Sequence, residues 1–220
     1  MKNAKIRRIL LLLACAVLLV SLSVGATLAY LTSTTGTVTN TFTVGNVNIK
    51  LDEEVVDEYG QGKGTRQESG NKYNLVPGHV YTKDPTVTVL SKSEACFVRM
   101  IVTINNYDKL VAAYGREVMP QELVNDTWDS ANWPCHSMNV SADRKTAVCE
   151  FRYAKVVTKA DADTKLEPLF TQIKLDGEKV TEKNIGDLAN VTIDIVAHAI
   201  QADTFEGDAD KAWTAYDGQN

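Results

Sequence analysis

Alternation of apolar and polar residues is the feature that most limits what this chain can fold into. The two longest alternating segments are residues 96–104 and 191–199, where every second side chain is apolar or small. A two-residue period places those side chains on one face of an extended chain, which is typical of a β-strand with one buried face. The core side chains predicted from such segments are Val98, Met100, Val102, Phe151, Ile193 and Ile195.

The rest of the chain repeats this pattern in shorter pieces. Roughly eight strand segments occur, and helical patterns are confined to the connections. One helix is predicted over residues 106–115, capped by Asn106 or Asp108 and ended by Gly115, and short helical turns near the end carry Trp213 and Tyr216. The chain therefore predicts an all-β fold, an antiparallel β-sandwich with short helices in its connections, formed by one domain over residues 30–220.

Two parts of this domain stand out from the alternation. Residues 53–74 are rich in Gly, Gln, Lys and Glu, with little to bury, and they predict a mobile surface loop. Arg99 lies inside a segment that reads as a central strand. We expect its side chain to face outward or to be capped by a partner.

The first 29 residues have the features of a secretory signal peptide. Lys2, Lys5, Arg7 and Arg8 precede an uncharged apolar run, and Thr27 and Ala29 supply the small outer residues of a cleavage site. Cleavage after Ala29 would leave Tyr30 at the mature N-terminus. The alternative is an uncleaved anchor, because residues 9–31 as a helix would reach about 35 Å and could span a bilayer.

Removal of residues 1–29 makes the chain strongly acidic. It leaves 19 Lys and Arg against 28 Asp and Glu, a net charge of −9. This charge argues against nucleic acid or an anionic membrane surface as a partner. The membrane is then expected to matter only before signal cleavage.

Three cysteines remain in the predicted mature chain, namely Cys96, Cys135 and Cys149. An odd number does not suit a disulfide framework, although one pair plus one thiol is possible. A hairpin centred on Ala142 would place Cys135 opposite Cys149 and allow a disulfide. The equally weighted alternative is that both are small buried apolar side chains.

Motifs for catalysis and metal binding are missing from the sequence. There is no HExxH, no GxSxG and no phosphate-binding glycine loop, so neither an enzyme nor a cofactor is predicted. The acidic runs at 161–165 and 206–211 can in principle hold Ca²⁺, but they lack EF-hand spacing and are better interpreted as solvated surface.

Four segments together resemble the TasA/camelysin family of proteins with SipW-dependent signal peptides, several of which are biofilm matrix proteins of Gram-positive bacteria. The segments are ATLAYLTSTTGTVTNTFTVGNVNIKLDE, LVPGHVYTKDPTVTV, PLFTQIKL and VTIDIVAHAIQADTF. The resemblance implies a jelly-roll of two antiparallel sheets, export, and cleavage by a SipW-type signal peptidase. It also implies a place in the extracellular matrix or on the cell surface, with copies of itself or related matrix proteins as partners.

The family includes fibre-forming proteins and camelysin, which has been classed as a metallopeptidase. The first function predicted is a structural subunit of fibres. The alternatives are a monomeric, membrane-anchored surface module and a camelysin-like peptidase, which the lack of a zinc motif disfavours.

Residues 30–44 lead from the predicted cleavage site into the fold. Val38, Phe42 and Val44 offer an apolar face, and threonines alternate with them. We expect this segment, freed by cleavage, to act as a donor strand for a neighbouring copy. The alternative is that it folds back as the first strand of its own sandwich.

Overall fold

The structure of the protein is a computed structural model that describes residues 32–35 and 46–219. Strands account for 34% of the chain and helices for 16%, and the paired strands are antiparallel. The chain is therefore mostly β, as predicted. No helix in the described residues is long and apolar enough to cross a membrane.

The described residues form eleven strands and two α-helices. The strands are β1 (Thr32–Thr35), β2 (Ile49–Val56), β3 (Gly62–Gln67), β4 (Val80–Thr82), β5 (Thr86–Val89), β6 (Cys96–Asn105), β7 (Cys135–Val140), β8 (Thr146–Arg152), β9 (Thr164–Lys165), β10 (Gln172–Lys174) and β11 (Thr192–Gln201). The α-helices are α1 (Tyr107–Tyr114) and α2 (Ala209–Asp217), and short 3₁₀ helices lie at Pro120–Leu123, Ile185–Leu188 and Asp203–Phe205.

The larger sheet has five strands in the order β1-β11-β6-β8-β7. Its centre is β6, which pairs along its whole length with β11 and along most of it with β8. Directly opposite residues share a face, so Met100 meets Ala197 on one side and Phe151 on the other. The central position predicted for residues 96–105 is confirmed.

A second sheet has four strands in the order β3-β2-β5-β9, and β4 and β10 form a separate pair. One hydrophobic cluster takes side chains from both of the larger sheets, including Ile49 and Val87 as well as Met100 and Phe151. Burial of these side chains from water is the main favourable contribution to folding. The same cluster includes Trp133, which is fully buried in the segment that precedes β7.

A second cluster forms where α1 packs beside the end of β6. Tyr107 and Leu110 of the helix are buried there with Ile104 and Leu188. The helix begins after Asn106 and ends at Gly115, whose positive φ of 71° lets its N–H bond back to the carbonyl of Val111. Asn106 makes no side-chain cap, but the predicted helix is otherwise confirmed. Helix α2 confirms the predicted helical turns near the end of the chain.

The prediction of a loop over residues 53–74 is wrong. Much of this segment belongs to a β-hairpin, in which Glu53 pairs with Gln67 and Glu54 with Arg66. The turn requires Gly60, because its φ is +76° and a Cβ there would collide with the ring of Tyr81. The hairpin is stabilised by charged side chains that pair with residues some thirty positions away, which local composition does not indicate.

The predicted core residues divide into two groups. Val98, Met100, Val102 and Phe151 are at most 3% exposed and belong to the main cluster. Ile193 and Ile195 pack against that cluster but are only partly buried. Both of these isoleucines lie in the first half of β11.

Candidate functional site: the edge of β11 and the groove beside it

Strand β11 has two halves with different neighbours. Residues 197–200, here called the closed half, lie between β6 and β1. Residues 192–196, here called the open half, pair with β6 on one side. Within residues 32–35 and 46–219, no strand pairs with the open half on its other side.

Burial follows this pairing. Ala197, Ala199 and Ile200 in the closed half are 0% exposed. Ile193 and Ile195 in the open half point to the same face as Ala197 and Ala199, yet both remain partly exposed. Both halves have β6 as a partner, and among the described residues they differ in the strand on their other side.

A groove of about 280 Å³ lies beside the open half. The second sheet and its hairpin form the opposite wall. The apolar lining residues are Leu51, Pro85, Ile193, Ile195 and Val196, and the polar ones are Asp52, Glu53, Gln67, Glu68, Ser69, Gly70, Lys83 and Asp194.

Buried charges hold the opposite wall in place. Lys83 Nζ lies 2.6 Å from Glu53 Oε2, and both side chains are less than a tenth exposed. Glu53 Oε1 also accepts hydrogen bonds from the backbone N–H and the side-chain amide of Asn71, at 2.8 and 2.9 Å. A buried charge is tolerated when it is paired and hydrogen-bonded in this way, so this wall is an organised surface.

A second ion network extends the wall along the hairpin. The guanidinium of Arg66 donates to the carboxylates of Asp52 and Asp84 and also to both of their backbone carbonyls. A planar guanidinium group has five N–H donors and can bond to several oxygen atoms at once. Asp84 in turn accepts from the backbone N–H of Glu54 at 2.6 Å. These bonds hold β2 and β3 to the segment before β5.

This arrangement suits the binding of extended backbone. An unpaired strand edge presents N–H and C=O groups that a further strand can satisfy. The adjoining groove offers apolar surface to alternate side chains of that strand, which is how strand addition acquires specificity. The charged side chains in the wall of the groove are paired with one another, and we assign no reaction to them.

Most residues predicted to act at the N-terminus lie outside the described residues. These are Thr27, Ala29 and Tyr30 of the cleavage site and Val38, Phe42 and Val44 of the donor strand. From the donor segment itself the structure describes residues 32–35, which form β1. Thr32 pairs there with Ile200 and Thr35 with Ala197 of the same chain.

The predicted pairing of Cys135 with Cys149 is not present. Cys149 lies opposite Met138, and Cys135 lies opposite Phe151 beyond a bulge between Cys135 and Ser137. The hairpin turns over residues 141–146, further along than the centre expected at Ala142, so the two cysteines are out of register. Both cysteines, and Cys96, are free thiols. Burial raises the pKa of the Cys149 and Cys96 thiols to about 12, which disfavours the reactive thiolate.

Local structure accounts for several acidic residues of the two runs considered for Ca²⁺. Asp163 accepts a hydrogen bond from the backbone N–H of Ser91, and Asp208 caps α2 by accepting from the N–H of Lys211. No group of three His, Cys, Asp or Glu side chains is placed to hold a metal ion in the part of the chain that the structure describes.

Arg99 is the centre of a second polar cluster, on the other face of the five-stranded sheet. Its side chain is 5% exposed, and its guanidinium donates to both oxygens of Asp217 in α2, at 2.5 and 3.1 Å. It also lies over the rings of Trp213 and Tyr216, 4.4 and 4.9 Å from their centroids. The expectation that a partner caps Arg99 is confirmed.

His198 completes this cluster from β11. Arg99 Nε donates to His198 Nδ1 at 3.2 Å, and the imidazole stacks on Tyr216 with centroids 4.9 Å apart. Burial, and then the adjacent charge of Arg99, lower the pKa of His198 to about 4. The hydrogen bonds from Arg99 lower the pKa of the Asp217 carboxyl. Neutral His198 and ionised Asp217 are therefore the forms that fit the cluster at neutral pH.

The groove was not foreseen from the sequence. Its lining combines β11 with β2 and β3, and the hairpin had been interpreted as a loop. The alternation of Val47, Ile49 and Leu51 predicts the strand that carries Leu51, but no local signal indicates the second strand of the hairpin. No family model, no curated protein and no solved structure matches this chain.

Proposed function

We propose that the protein is an exported structural subunit of extracellular fibres. In this proposal the N-terminal strand of one copy pairs with the edge of β11 in the next. The observation that carries it is the open half of β11, which has one strand neighbour among the described residues and lies beside an apolar groove.

The proposed donor is the segment 30–44. Only residues 32–35 of this segment pair with β11 in the described structure, beside the closed half. Pairing along the open half would add backbone hydrogen bonds and would cover Ile193 and Ile195. The alternating apolar residues Val38, Phe42 and Val44 make the segment a suitable strand for such a groove.

Strand exchange gives each copy one donor segment and one acceptor edge. Such a contact is head-to-tail, and a head-to-tail contact that does not close into a ring continues as a fibre. The negative charge predicted for the mature chain keeps free subunits soluble until they assemble.

The resemblance of four segments to the TasA/camelysin family supports the same function. On this basis we assign a jelly-roll topology to the mostly β fold. We also propose that a SipW-type peptidase cleaves after Ala29 and that the protein acts in the matrix or at the cell surface. Copies of the chain and related matrix proteins are its proposed partners.

The pairing of β1 with β11 in the same chain favours a second candidate. A chain that fills its own edge with residues 32–35 would be a monomeric surface module, tethered by residues 9–31 if the signal is retained. This candidate makes no fibre and needs no second copy.

Electron microscopy of the secreted protein separates the two candidates. We expect fibres from the chain that begins at Tyr30 and none from the chain that begins at Asn46, with binding of a 30–45 peptide to the shorter chain. Fibres from the shorter chain would contradict strand donation. Monomers from both chains would favour the surface module.

A matched pair of substitutions tests the acceptor edge. Ile195→Lys places a charge in the groove, whereas Ile185→Lys changes another partly buried isoleucine that packs against the second cluster. We expect Ile195→Lys to abolish fibres and Ile185→Lys to leave them, with both proteins checked for folding by circular dichroism. Equal fibre formation by both variants would exclude this edge as the acceptor.

A further inference from the structure

The contacts between α2 and the sheet form a site with two separable sides. The sheet contributes Arg99 from β6, Glu150 and Arg152 from β8, and His198 from β11. The helix contributes two acidic residues and two aromatic residues, namely Asp210, Asp217, Trp213 and Tyr216. The sides are complementary in charge, with two guanidinium groups on the sheet facing two carboxylates on the helix.

The sheet side is organised by bonds within the sheet. Glu150 Oε1 accepts from Arg152 Nε at 2.6 Å and from Arg99 at 3.4 Å, so one carboxylate orients both guanidinium groups. His198 accepts from Arg99 on its other flank. These bonds do not involve α2, so the sheet contributes its own share to the placement of the two arginines, beside the contacts that they make with the helix.

The helix side is concentrated in a short sequence. Trp213 and Tyr216 are at most 5% exposed and hold Arg99 between their rings and the sheet, while Asp217 accepts two hydrogen bonds from it. Arg152 donates to Asp210 at 2.6 Å, and Asp210 lies about two turns before Asp217 in α2. A second copy of the chain carries the same four groups at the same spacing.

The connection between β11 and α2 is a suitable hinge for the exchange of α2 between two copies of the chain. It covers residues 202–208, and two consecutive residues in it, Glu206 and Gly207, have positive φ values of 54° and 80°. A left-handed conformation is unfavourable for Glu, and it is relieved if the connection straightens. Short connections under strain favour domain swapping.

We propose that the face of the sheet around Arg99 is a docking site for the C-terminal helix of a second copy, which replaces the chain's own α2. Each subunit then gives and receives a helix at a site distinct from the strand edge of β11. The recognised ligand is a short helix with the pattern aromatic-x-x-aromatic-acid, as in Trp213–Asp217. The site is a second point of contact between copies, whether or not they also exchange strands.

A labelled peptide tests the site in the full chain, solubilised in mild detergent. The probe is a fluorescent peptide of residues 207–219, and the receptor is the chain with Asp217→Ala, which weakens its own helix at an exposed carboxylate. In the unaltered chain the tethered helix competes at an effective concentration on the order of millimolar, so we expect at least ~10-fold tighter peptide binding to the variant. The matched control is a peptide carrying Asp217→Asn, which should bind the same variant at least ~10-fold more weakly.

Native mass spectrometry of mixed full chains extends the test to exchange. A chain with Arg99→Gln has a free helix, and a chain with Asp217→Ala has a free site, so the 1:1 mixture should contain heteromers that neither chain forms with itself. Near-ultraviolet circular dichroism checks that each variant keeps its packed aromatics, and Asp210→Ala replaces Asp217→Ala if that chain does not fold. Absence of peptide binding by a folded variant, equal binding of the two peptides, or absence of heteromers would overturn the proposal. Whether unmixed chains form fibres tests the proposed strand exchange at the edge of β11. That result does not change the outcome of the peptide-binding and mixing experiments, which test the exchange of α2.

Discussion

The two halves of β11 belong to one strand and share the partner β6, yet they differ in their second neighbour among the described residues and in how far their core-facing side chains are buried. The closed half lies against β1, and its core-facing side chains are fully buried. The open half lies beside a groove, and its isoleucines remain partly exposed. The alternation of side chains is the same in both halves, so it indicates which face turns inward but not how completely that face is covered.

The two halves also differ in what faces them. The closed half carries His198, which ties the strand to Arg99 and α2. The open half faces a wall whose structure depends on buried ion pairs between β2, β3 and the segment before β5. Four measurements can break or sharpen this contrast.

Loss of Lys83 is expected to have the largest effect, because it leaves Glu53 charged and buried in the wall that faces the open half. We expect Lys83→Met to lower the free energy of unfolding by about 3–5 kcal/mol. A urea titration measures the loss. The double variant Lys83→Met with Glu53→Gln should recover part of it, and a loss under about 1 kcal/mol for the single variant would show that the wall does not depend on this pair.

Truncation of Ile200 tests the closed half. This side chain is 0% exposed, and we expect Ile200→Ala to cost about 2–5 kcal/mol through lost burial and the cavity left behind. The cost is again read from urea unfolding monitored by circular dichroism. A cost near zero would mean that β1 and the adjoining side chains do not enclose this half.

His198 makes stability depend on pH in the closed half. Its pKa is about 4 in the folded protein against an ordinary histidine value of 6.5, so the unfolded chain binds the proton more tightly. This contribution to stability is complete above pH 6.5 and is lost as the pH falls toward 4. Allowing for the partial exposure of the ring, we expect a loss of about 2 kcal/mol across this window.

The control for this pH effect is His198→Gln, which cannot take up the proton. Unfolding at a series of pH values should show a flatter profile for the variant between pH 6.5 and 4. Asp217 titrates below this window because Arg99 lowers its pKa. The stability that is lost when Asp217 takes up a proton therefore falls at a lower pH than the loss caused by His198. Identical profiles for the two proteins would rule out His198 as the source.

Truncation of Ile195 is expected to have the smallest effect. The side chain is only partly buried, so Ile195→Ala should cost about 1 kcal/mol in the isolated subunit. Ile200→Ala under the same conditions is the reference, because it makes the same chemical change at a fully buried isoleucine of the same strand, on the face that carries His198. Equal costs would show that Ile195 is as well buried as Ile200.

Strands with one buried face could be predicted from the sequence, because their alternation is a local signal. This holds for β6, β8 and β11, whose inward-facing residues were identified correctly even where burial is incomplete. The hairpin of β2 and β3 was missed because its stability comes from Lys83 and Asp84, distant in sequence from Glu53 and Glu54. The register of the two cysteines was missed because a bulge shifts β7 against β8.

The Arg99 cluster and the groove were harder to predict, because both combine residues that are distant in the sequence. The partner of Arg99 lies 118 positions away in α2, and no local pattern links the two residues. The groove lies where two sheets end beside each other, and its place depends on which strand edge has no partner among the described residues. Alternation could suggest a donor strand but could not locate the acceptor edge.

The placement of β11 between β1 and β6 has a consequence for how the chain folds. Arg99 and His198, which pair across β6 and β11, are 99 positions apart, and β1 finds its partner in the last strand of the fold. The pairing of β6 with β11 therefore cannot form until nearly the whole chain has emerged from the ribosome. Folds dominated by such distant pairings collapse slowly and keep strand edges exposed while they do so. We expect a newly made chain to depend on protection from premature association during that interval.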